Sequence, residues 1–148
     1  MTDCSDIPFS TTHHVRDHCL CLHAQRAARA LARRFDEALR PSGLNNGQFS
    51  LLMSLNRPEP ATMGSVARLL AMDRTTLTAA LKPLERRGLV AIRSDPGDRR
   101  SRLLELTALG REHLLKALPI WEVTHKAVEQ GLAADHAERL RQDLRTLA

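Results

Sequence analysis

The segment at positions 73–107, DRTTLTAALKPLERRGLVAIRSDPGDRRSRLLELT, has the pattern of a helix followed by a hairpin. Asp73 supplies a side-chain acceptor for the first turn of a helix. Leu77, Leu81 and Leu84 recur three or four residues apart, which places them on one buried face. The sequence therefore predicts an amphipathic helix that begins just after Asp73.

The outward face of this predicted helix carries short hydroxyls and long cations. Side chains of these two kinds, exposed along a helix, suit base edges and phosphates in the major groove of DNA. The candidate DNA contacts on the helix are Arg74, Thr75, Thr76, Thr78, Lys82 and Arg86.

A two-stranded hairpin is predicted directly after the helix. Gly88 ends the helix, because glycine takes the left-handed conformation at a helix C-terminus without steric cost. Residues 89–94 and 101–106 are strand-like, and the Asp-Pro-Gly-Asp sequence between them is typical of a turn. We therefore expect Arg99 and Arg100 near the hairpin tip, as further candidates for DNA contact.

Positive charge is concentrated in this part of the chain. Residues 68–102 contain nine Lys or Arg and four Asp or Glu, a net charge of +5 that equals the net charge of the whole chain. A neutral body with one basic module indicates a polyanionic partner, double-stranded DNA. A solvated surface without a partner is the plain alternative, but it does not explain why the excess charge is confined to one helix and its hairpin.

Other functional classes lack their characteristic motifs in this sequence. There is no Gly-rich phosphate loop, nucleophile elbow or HExxH motif, so we expect no enzyme activity and no cofactor. A protein-binding adaptor that uses the same module without DNA stays open as an alternative. Three cysteines and no secretory signal argue against a disulfide scaffold, and no apolar run is long enough for a membrane span. We therefore expect a cytoplasmic protein.

The segments around the basic module have helical patterns. Apolar residues fall at helical spacing over residues 12–39, after an N-terminal arm at 1–11. Asn45 or Asn46 is expected to cap one short helix and Thr62 another, which leads into Asp73 through a tight turn. Two helices joined in this way, the second with a polar outer face, form a helix-turn-helix.

Helices also follow the hairpin, because Thr107 is a further cap and leucines recur to the end of the chain. The predicted fold class is mainly α, an α+β winged helix. A winged helix-turn-helix DNA-binding module at 45–106 is flanked by N- and C-terminal dimerisation helices at 12–44 and 107–148. The apolar stripes of the flanking helices predict a homodimer, which would bring two recognition helices to an imperfect palindrome.

Three segments of the sequence resemble the MarR-type bacterial transcription regulators. They are Met72–Val90, the Asp98-Arg99-Arg100 sequence that resembles the family's DxR wing, and Leu106–Gly110, which is similar to the family's LTxxG entry into the next helix. The resemblance covers nearly the whole chain. It implies that Arg100 enters the minor groove of DNA, while Asp98 holds the wing in shape.

The resemblance also implies a mode of regulation. Such proteins dimerise through their terminal helices, and we expect a repressor on a pseudo-palindromic operator that a small molecule or an oxidant releases. Similar family members hold small aromatic or phenolic ligands in a crevice between the dimer helices and the winged module. Arg57, Arg93 and Trp121 are the candidate effector contacts in this chain, with ordinary packing or surface roles as the alternative.

Cys21 carries a second resemblance, to the OhrR-type organic-peroxide sensors of the same family. On alignment it falls at the position of their reactive cysteine, 27 residues before Gln48 without a gap. This implies a thiol whose oxidation shifts the dimer geometry. The sensors bind their thiolate with tyrosines, whereas this chain has no tyrosine and carries Gln25 and Phe35 at the matching positions.

A metal ion is another alternative to ordinary roles for the histidines and cysteines near the N-terminus. On one continuous helix, His14, His18 and Cys21 would share a stripe, and with Cys19 or His23 they could bind Zn²⁺ or Cu⁺. This spacing is permissive without being diagnostic, and we assign no metal site from it. Cys4, in the arm, receives no role.

Overall fold

The computed structural model of the chain describes residues 6–148, which form seven α-helices and a three-stranded antiparallel sheet. The cysteine at position 4 and residues 1–5 of the expected arm lie outside the described residues. The elements in chain order are α1 (Phe9–His18), α2 (Leu20–Leu39), a 3₁₀ turn (Arg40–Ser42), α3 (Asn46–Ser54), β1 (Ala61–Thr62), α4 (Met63–Leu69), α5 (Arg74–Arg86), β2 (Val90–Asp95), β3 (Asp98–Leu106), α6 (Ala108–Gln130) and α7 (His136–Leu147).

The chain divides into two compact units, and the division falls within α2, between Arg34 and Phe35. In the first unit, the prediction of one continuous helix from residue 12 is wrong. Helix α1 already begins at Phe9, because the preceding Pro8 has a φ of −57° and its carbonyl accepts the Thr11 N–H at 2.9 Å. No residue of α1 is buried.

The helix breaks at Cys19, whose backbone is extended with φ −70° and ψ 107°. The sulfur of Cys19 then accepts the N–H of Leu22 at 3.4 Å, which satisfies one of the free donors at the start of α2. This break was not predictable from the sequence, since neither Gly nor Pro stands near it.

The second unit has a leucine-rich core. Phe35 at the end of α2 and Phe49 on α3 are its aromatic members, at 7% and 5% exposure. The fully buried leucines come from α2, α3, α5, β3 and the connection between α5 and β2: Leu39, Leu51, Leu52, Leu77, Leu81, Leu84, Leu89 and Leu104. Such close-packed burial of apolar surface is the main source of stability in a small domain.

Four predicted helix caps are confirmed. Asn45 accepts the Gln48 N–H at 2.8 Å, and the Gln48 side chain returns a hydrogen bond to the Asn45 N–H, which completes a capping box. Thr62, Asp73 and Thr107 cap α4, α5 and α6 in the same way, at 3.1, 2.7 and 3.0 Å. These caps set where each helix of the winged module begins.

The sheet has the order β1–β3–β2 and differs from the prediction in two respects. Strand β1 was not predicted, because a two-residue strand that follows Pro60 has no periodicity; it pairs with Leu103 and Leu104 of β3. Strand β3 starts at Asp98, which pairs with Asp95 and leaves only Pro96 and Gly97 in the loop. Arg99 and Arg100 thus lie in the strand itself, directly beside the tip.

Helix α6 follows the sheet and packs closely against it. A Cβ on Gly110 would lie 2.2 Å from the Leu89 carbonyl oxygen, so only glycine allows this approach. The helix runs from Ala108 to Gln130 with Pro119 inside it. Among residues 6–148, no helix combines the length and apolar character needed to cross a lipid bilayer.

Candidate nucleic-acid interface

The start of α5 is organised by the side chain of Asp73. Its carboxylate accepts the Thr76 N–H at 2.7 Å and the Thr76 hydroxyl at 2.8 Å. These two hydrogen bonds hold the pKa of Asp73 below its ordinary value. The Thr76 hydroxyl proton is therefore used within the helix cap.

The outward face of α5 forms a shallow surface depression. Arg74, Thr75, Thr78 and Lys82 line it together with Ala79, and all four polar side chains are exposed. The Thr78 hydroxyl donates to the Arg74 carbonyl at 2.8 Å, which leaves its oxygen free to accept. Arg86, one turn beyond Lys82, is also exposed. By helical spacing, Thr76 lies to the side of this face.

The opposite face of α5 anchors the helix in the core. Leu77, Leu81 and Leu84 are at most 1% exposed. The turn that leads into α5 passes through Ala71, whose positive φ of 51° is unusual for a residue with a Cβ. Met72 continues this turn, with its N–H bound to the Ala67 carbonyl at 2.9 Å. The polar face of α5 is thus held outward by packing on one side and a tight turn at its start.

Two aspartates hold the tip of the wing formed by β2 and β3. Asp98 accepts the Arg100 N–H at 3.0 Å, and Asp95 accepts the Gly97 N–H at 2.9 Å. The side chains of Arg99 and Arg100 are exposed. Asp98 thus fixes the backbone of the residue whose side chain is the candidate for the minor groove.

Away from the wing tip, the arginines of β2 and β3 bind other side chains of the wing. Arg93 forms a two-armed ion pair with Glu105 on the facing strand, with both N–O distances at 3.2 Å. The pair raises the pKa of Arg93 and lowers that of Glu105. Arg102 donates to the Ser94 hydroxyl at 3.1 Å. Arg93 therefore has a structural partner, and the free cations of the wing lie at its tip.

Arg87 was counted in the basic module but differs from its neighbour Arg86. Its guanidinium Nη2 donates to the carbonyl of Gly43 at 2.8 Å. The two residues lie 44 positions apart in the chain. Sequence reasoning missed this contact, because no local pattern connects Arg87 with the turn that follows α2.

The candidate effector contacts do not come together in one place. Trp121 stacks between Phe49 and His125, with ring centroids 6.1 and 4.7 Å away, and lines a cavity of about 410 Å³ between α3 and α6. Arg57 lines a different cavity, of about 340 Å³, beside the sheet. Of the three candidates, only Trp121 lines the apolar cavity.

The histidines and cysteines near the N-terminus form two separate groups. His14 and His18 stack on α1 with ring centroids 4.4 Å apart, and Cys21 follows on α2 after the helix break. Within residues 6–148, no three His, Cys, Asp or Glu side chains come together in an arrangement that could hold a metal ion. The metal alternative loses its geometric basis, since it assumed a continuous helix.

Cys21 itself is an exposed free thiol with one hydrogen-bond donor. The side-chain amide of Gln25 donates to its sulfur at 3.2 Å. Arg29 donates to the amide oxygen of Gln25 at 3.3 Å, so the three side chains form a row along α2. Gln25 stands where the sequence comparison with peroxide sensors would put a tyrosine.

Comparison with known proteins gives a consistent result. The family model described as "MarR family" matches residues 42–101. The crystal structure of the transcriptional regulator MosR from Mycobacterium tuberculosis in complex with DNA is 40% identical and superimposes with a TM-score of 0.80. That match covers 88% of this chain and 93% of MosR.

Two curated relatives carry different regulatory descriptions. The transcriptional activatory protein BadR of Rhodopseudomonas palustris is 38% identical over 58% of this chain, and the match spans only 47% of BadR. The transcriptional repressor MprA of Escherichia coli is 29% identical over 86% of this chain and 72% of its own length. The direction of regulation therefore differs between these relatives.

Proposed function

The chain belongs to the MarR family of transcriptional regulators, and we propose that it is a cytoplasmic homodimeric repressor of a pseudo-palindromic operator. The observation that carries this proposal is the exposed polar face of α5 beside a wing tip whose backbone is held by Asp98. The relative MosR, whose structure contains DNA, matches 88% of this chain. We propose repression because the chain is similar to the transcriptional repressor MprA over most of its length. The similarity to the activatory protein BadR argues in the opposite direction.

The proposed contacts divide into two kinds. Thr75 and Thr78 have short hydroxyls that reach base edges, while Arg74, Lys82 and Arg86 reach phosphates along the same face. At the wing tip, Arg100 enters the minor groove and Arg99 lies beside it. Thr76 supports these contacts through the helix cap, since its hydroxyl proton is bound by Asp73.

Dimerisation is proposed from the apolar stripe of α7. Leu140, Leu144 and Leu147 fall on one face of this helix, and each is at least 43% exposed. A helix without a buried residue gains little from folding back alone, whereas a second copy would cover the same stripe on both subunits. A symmetric dimer also supplies the second recognition helix that a palindrome requires.

A small aromatic effector is proposed for the cavity between α3 and α6. Its lining is mostly apolar, with Phe49 and Trp121 as flat surfaces and Met53 and Leu118 around them. Ligand cavities of this size and character typically accept planar organic molecules. Helices α3 and α6 both contact the winged module's core, so a ligand that separates them would change the spacing of the recognition helices.

Release by an oxidant is the second candidate, favoured by the exposed Cys21 and its Gln25 donor. In the proposed reaction the Cys21 thiolate attacks an organic hydroperoxide and its O–O bond breaks. The sulfur takes the outer OH and is oxidised to a sulfenic acid, while the rest of the peroxide is reduced and leaves as an alkoxide, which takes up a proton from water to form the alcohol.

The oxidant candidate is tested by adding cumene hydroperoxide to the protein–DNA complex, with Cys21→Ser as the matched control. We expect the parent to release DNA and the variant to retain it. Equal retention by both proteins would remove the oxidant candidate and leave the small-molecule effector.

The DNA-binding proposal is tested by Arg100→Ala, measured by electrophoretic mobility shift on operator DNA selected with the parent. We expect at least a tenfold loss of affinity, about 1.4 kcal/mol, with the dimer intact. Lys116→Ala, which removes an exposed cation of α6 outside the basic module, should bind as the parent does. Equal binding by Arg100→Ala and the parent at physiological salt would refute the wing assignment.

Salt dependence separates this proposal from a protein-binding adaptor. Phosphate contacts release counterions, so parent affinity for DNA should fall steeply between about 50 and 200 mM salt. Weak binding with a shallow salt dependence and no sequence preference would favour the adaptor.

A further inference from the structure

The connection between α2 and α3 receives side chains from three elements of the second unit. The chain turns there through the 3₁₀ turn and Gly43, which has a left-handed φ of 75°. Asp36 of α2 accepts the Asn46 N–H at the start of α3 at 2.7 Å. Arg87 donates to the carbonyl of Gly43, and His113 binds the carbonyl of Ser42. The connection is therefore bound by side chains of α2 and α6 and by one from the end of the recognition helix α5.

Arg87 reaches this connection from the end of α5. It is the C-cap residue, one position after the last helical residue, and its Nη2 donates to the Gly43 carbonyl at 2.8 Å. The same end of α5 has a second restraint, since the Thr107 hydroxyl donates to the Gly88 carbonyl at 2.6 Å. Two long-range hydrogen bonds thus hold the C-terminal end of the helix.

His113 reaches the connection from α6. Its Nδ1 lies 2.9 Å from the Ser42 carbonyl oxygen, and because a carbonyl can only accept, Nδ1 carries the proton. A Cβ on Gly43 would lie 3.3 Å from His113 Cε1 and 3.4 Å from Arg87 Nη2. Both side chains therefore pack directly over Gly43, and a larger residue there would crowd them in addition to adopting a strained left-handed φ.

From this geometry we infer that Arg87 is a positioning residue for DNA recognition and makes no DNA contact itself. The inference rests on the proposed DNA-binding function of α5. Base contacts require the helix to be placed within about 0.5 Å. Arg87 adds a restraint beyond the leucine packing, because it ties the end of α5 to a connection that His113 and Asp36 also bind.

The inference separates two adjacent arginines that the sequence does not distinguish. Arg86 is exposed on the side of α5 proposed to face DNA, whereas Arg87 is bound to Gly43. Each substitution by alanine removes one positive charge from the same turn. Arg86→Ala is thus the matched control for Arg87→Ala.

The experiment measures affinity for a selected operator and for unrelated DNA at several salt concentrations. We expect Arg87→Ala to lose about tenfold in operator affinity, with unrelated-DNA affinity and the salt slope unchanged. Arg86→Ala should weaken both DNAs and reduce the salt slope by about 1. An Arg87→Ala protein with the reduced slope of Arg86→Ala, or with parental operator affinity, would overturn the inference.

His113 provides a second variant pair for the same connection. His113→Ala should lower operator affinity as Arg87→Ala does, and His113→Asn should restore most of it because the amide still donates to Ser42. Equal behaviour of these two variants would contradict the role of the hydrogen bond.

Amide hydrogen exchange without DNA tests the contact itself. In Arg87→Ala, amides of residues 84–88 and 43–46 should exchange faster than in the parent, while Arg86→Ala should leave them unchanged. Unchanged exchange in both variants would contradict the inference. A parent protein that selected no DNA would instead contradict the proposed function, so the two failures are distinguishable.

Discussion

Helices α5 and α7 carry the same leucine spacing but differ in burial. Leu77, Leu81 and Leu84 of α5 are at most 1% exposed, whereas the corresponding leucines of α7, at 140, 144 and 147, are 43%, 47% and 67% exposed. Both helices are amphipathic and of similar length, 13 and 12 residues. The pattern thus predicts that a face will be buried, but it does not say which surface will cover it.

The difference lies in what surrounds each helix. Helix α5 packs within its own subunit, between α4 and β2. Helix α7 is instead joined to α6 by an ion pair between Arg141 and Glu129, and Arg141 also binds Glu138 within α7. Exposed ion pairs of this kind add little stability and leave the apolar face of the helix uncovered. We therefore read the leucines of α5 as part of the fold and those of α7 as part of the proposed dimer.

The largest effect is expected for a leucine of α5. Leu81→Ala removes a fully buried side chain and leaves a cavity, which should cost about 2–5 kcal/mol of folding free energy. Chemical denaturation at fixed protein concentration measures this loss. A destabilisation of less than about 1 kcal/mol would show that α5 is not packed as tightly as the comparison requires.

Leu144→Ala tests the other side of the comparison. We expect a smaller change in the folding of each subunit but a clear increase in the dimer dissociation constant, by tenfold or more, since both subunits lose the contact. Analytical ultracentrifugation over a range of concentrations gives both the parent and variant values. A parent that is monomeric at micromolar concentration would contradict the dimer outright.

The next largest effect is expected for Thr75→Ala, which tests the polar face of α5. Loss of a base contact should change the preferred base at one operator position by up to about tenfold, with little change for unrelated DNA. Sequence selection with parent and variant measures the preference. An equal loss over all sequences would assign Thr75 to phosphate contact instead.

The smallest effect is expected from the ion pairs of α7. Arg141 holds the pKa of Glu129 and Glu138 below their ordinary values. Each carboxylate therefore adds stability at pH values above its ordinary pKa, and this contribution is lost as the pH falls through the lowered pKa. The parent Tm should drop slightly more between pH 7 and pH 3 than the Tm of Arg141→Ala. Arg139→Ala, an exposed arginine on the same helix, should keep the parental drop.

Local chemistry made much of the fold predictable. Thr62, Asp73 and Thr107 were identified as caps, and Asn45 as one of two candidates, because a side-chain acceptor at a helix start acts within three residues. Gly88 was identified in the same way, and it does adopt the left-handed conformation with φ of 71°. These positions frame the winged module.

Features that depend on distant contacts were not predictable. No Gly or Pro near Cys19 indicates that the helix breaks there. Strand β1 is defined by its pairing with β3, which is distant in the sequence. Arg87 looked like one more cation of the basic module, yet its partner is Gly43. The DNA contacts on α5 and the wing stay predictions, since their partner is another molecule.

Selection of bound sequences from a random DNA pool tests the central proposal most directly. If two copies of α5 and the wing bind one duplex, the selected sequences should contain an imperfect palindrome with half-site centres about 10 base pairs apart. Selection of single, unpaired half-sites, or of no common sequence at all, would contradict the proposal.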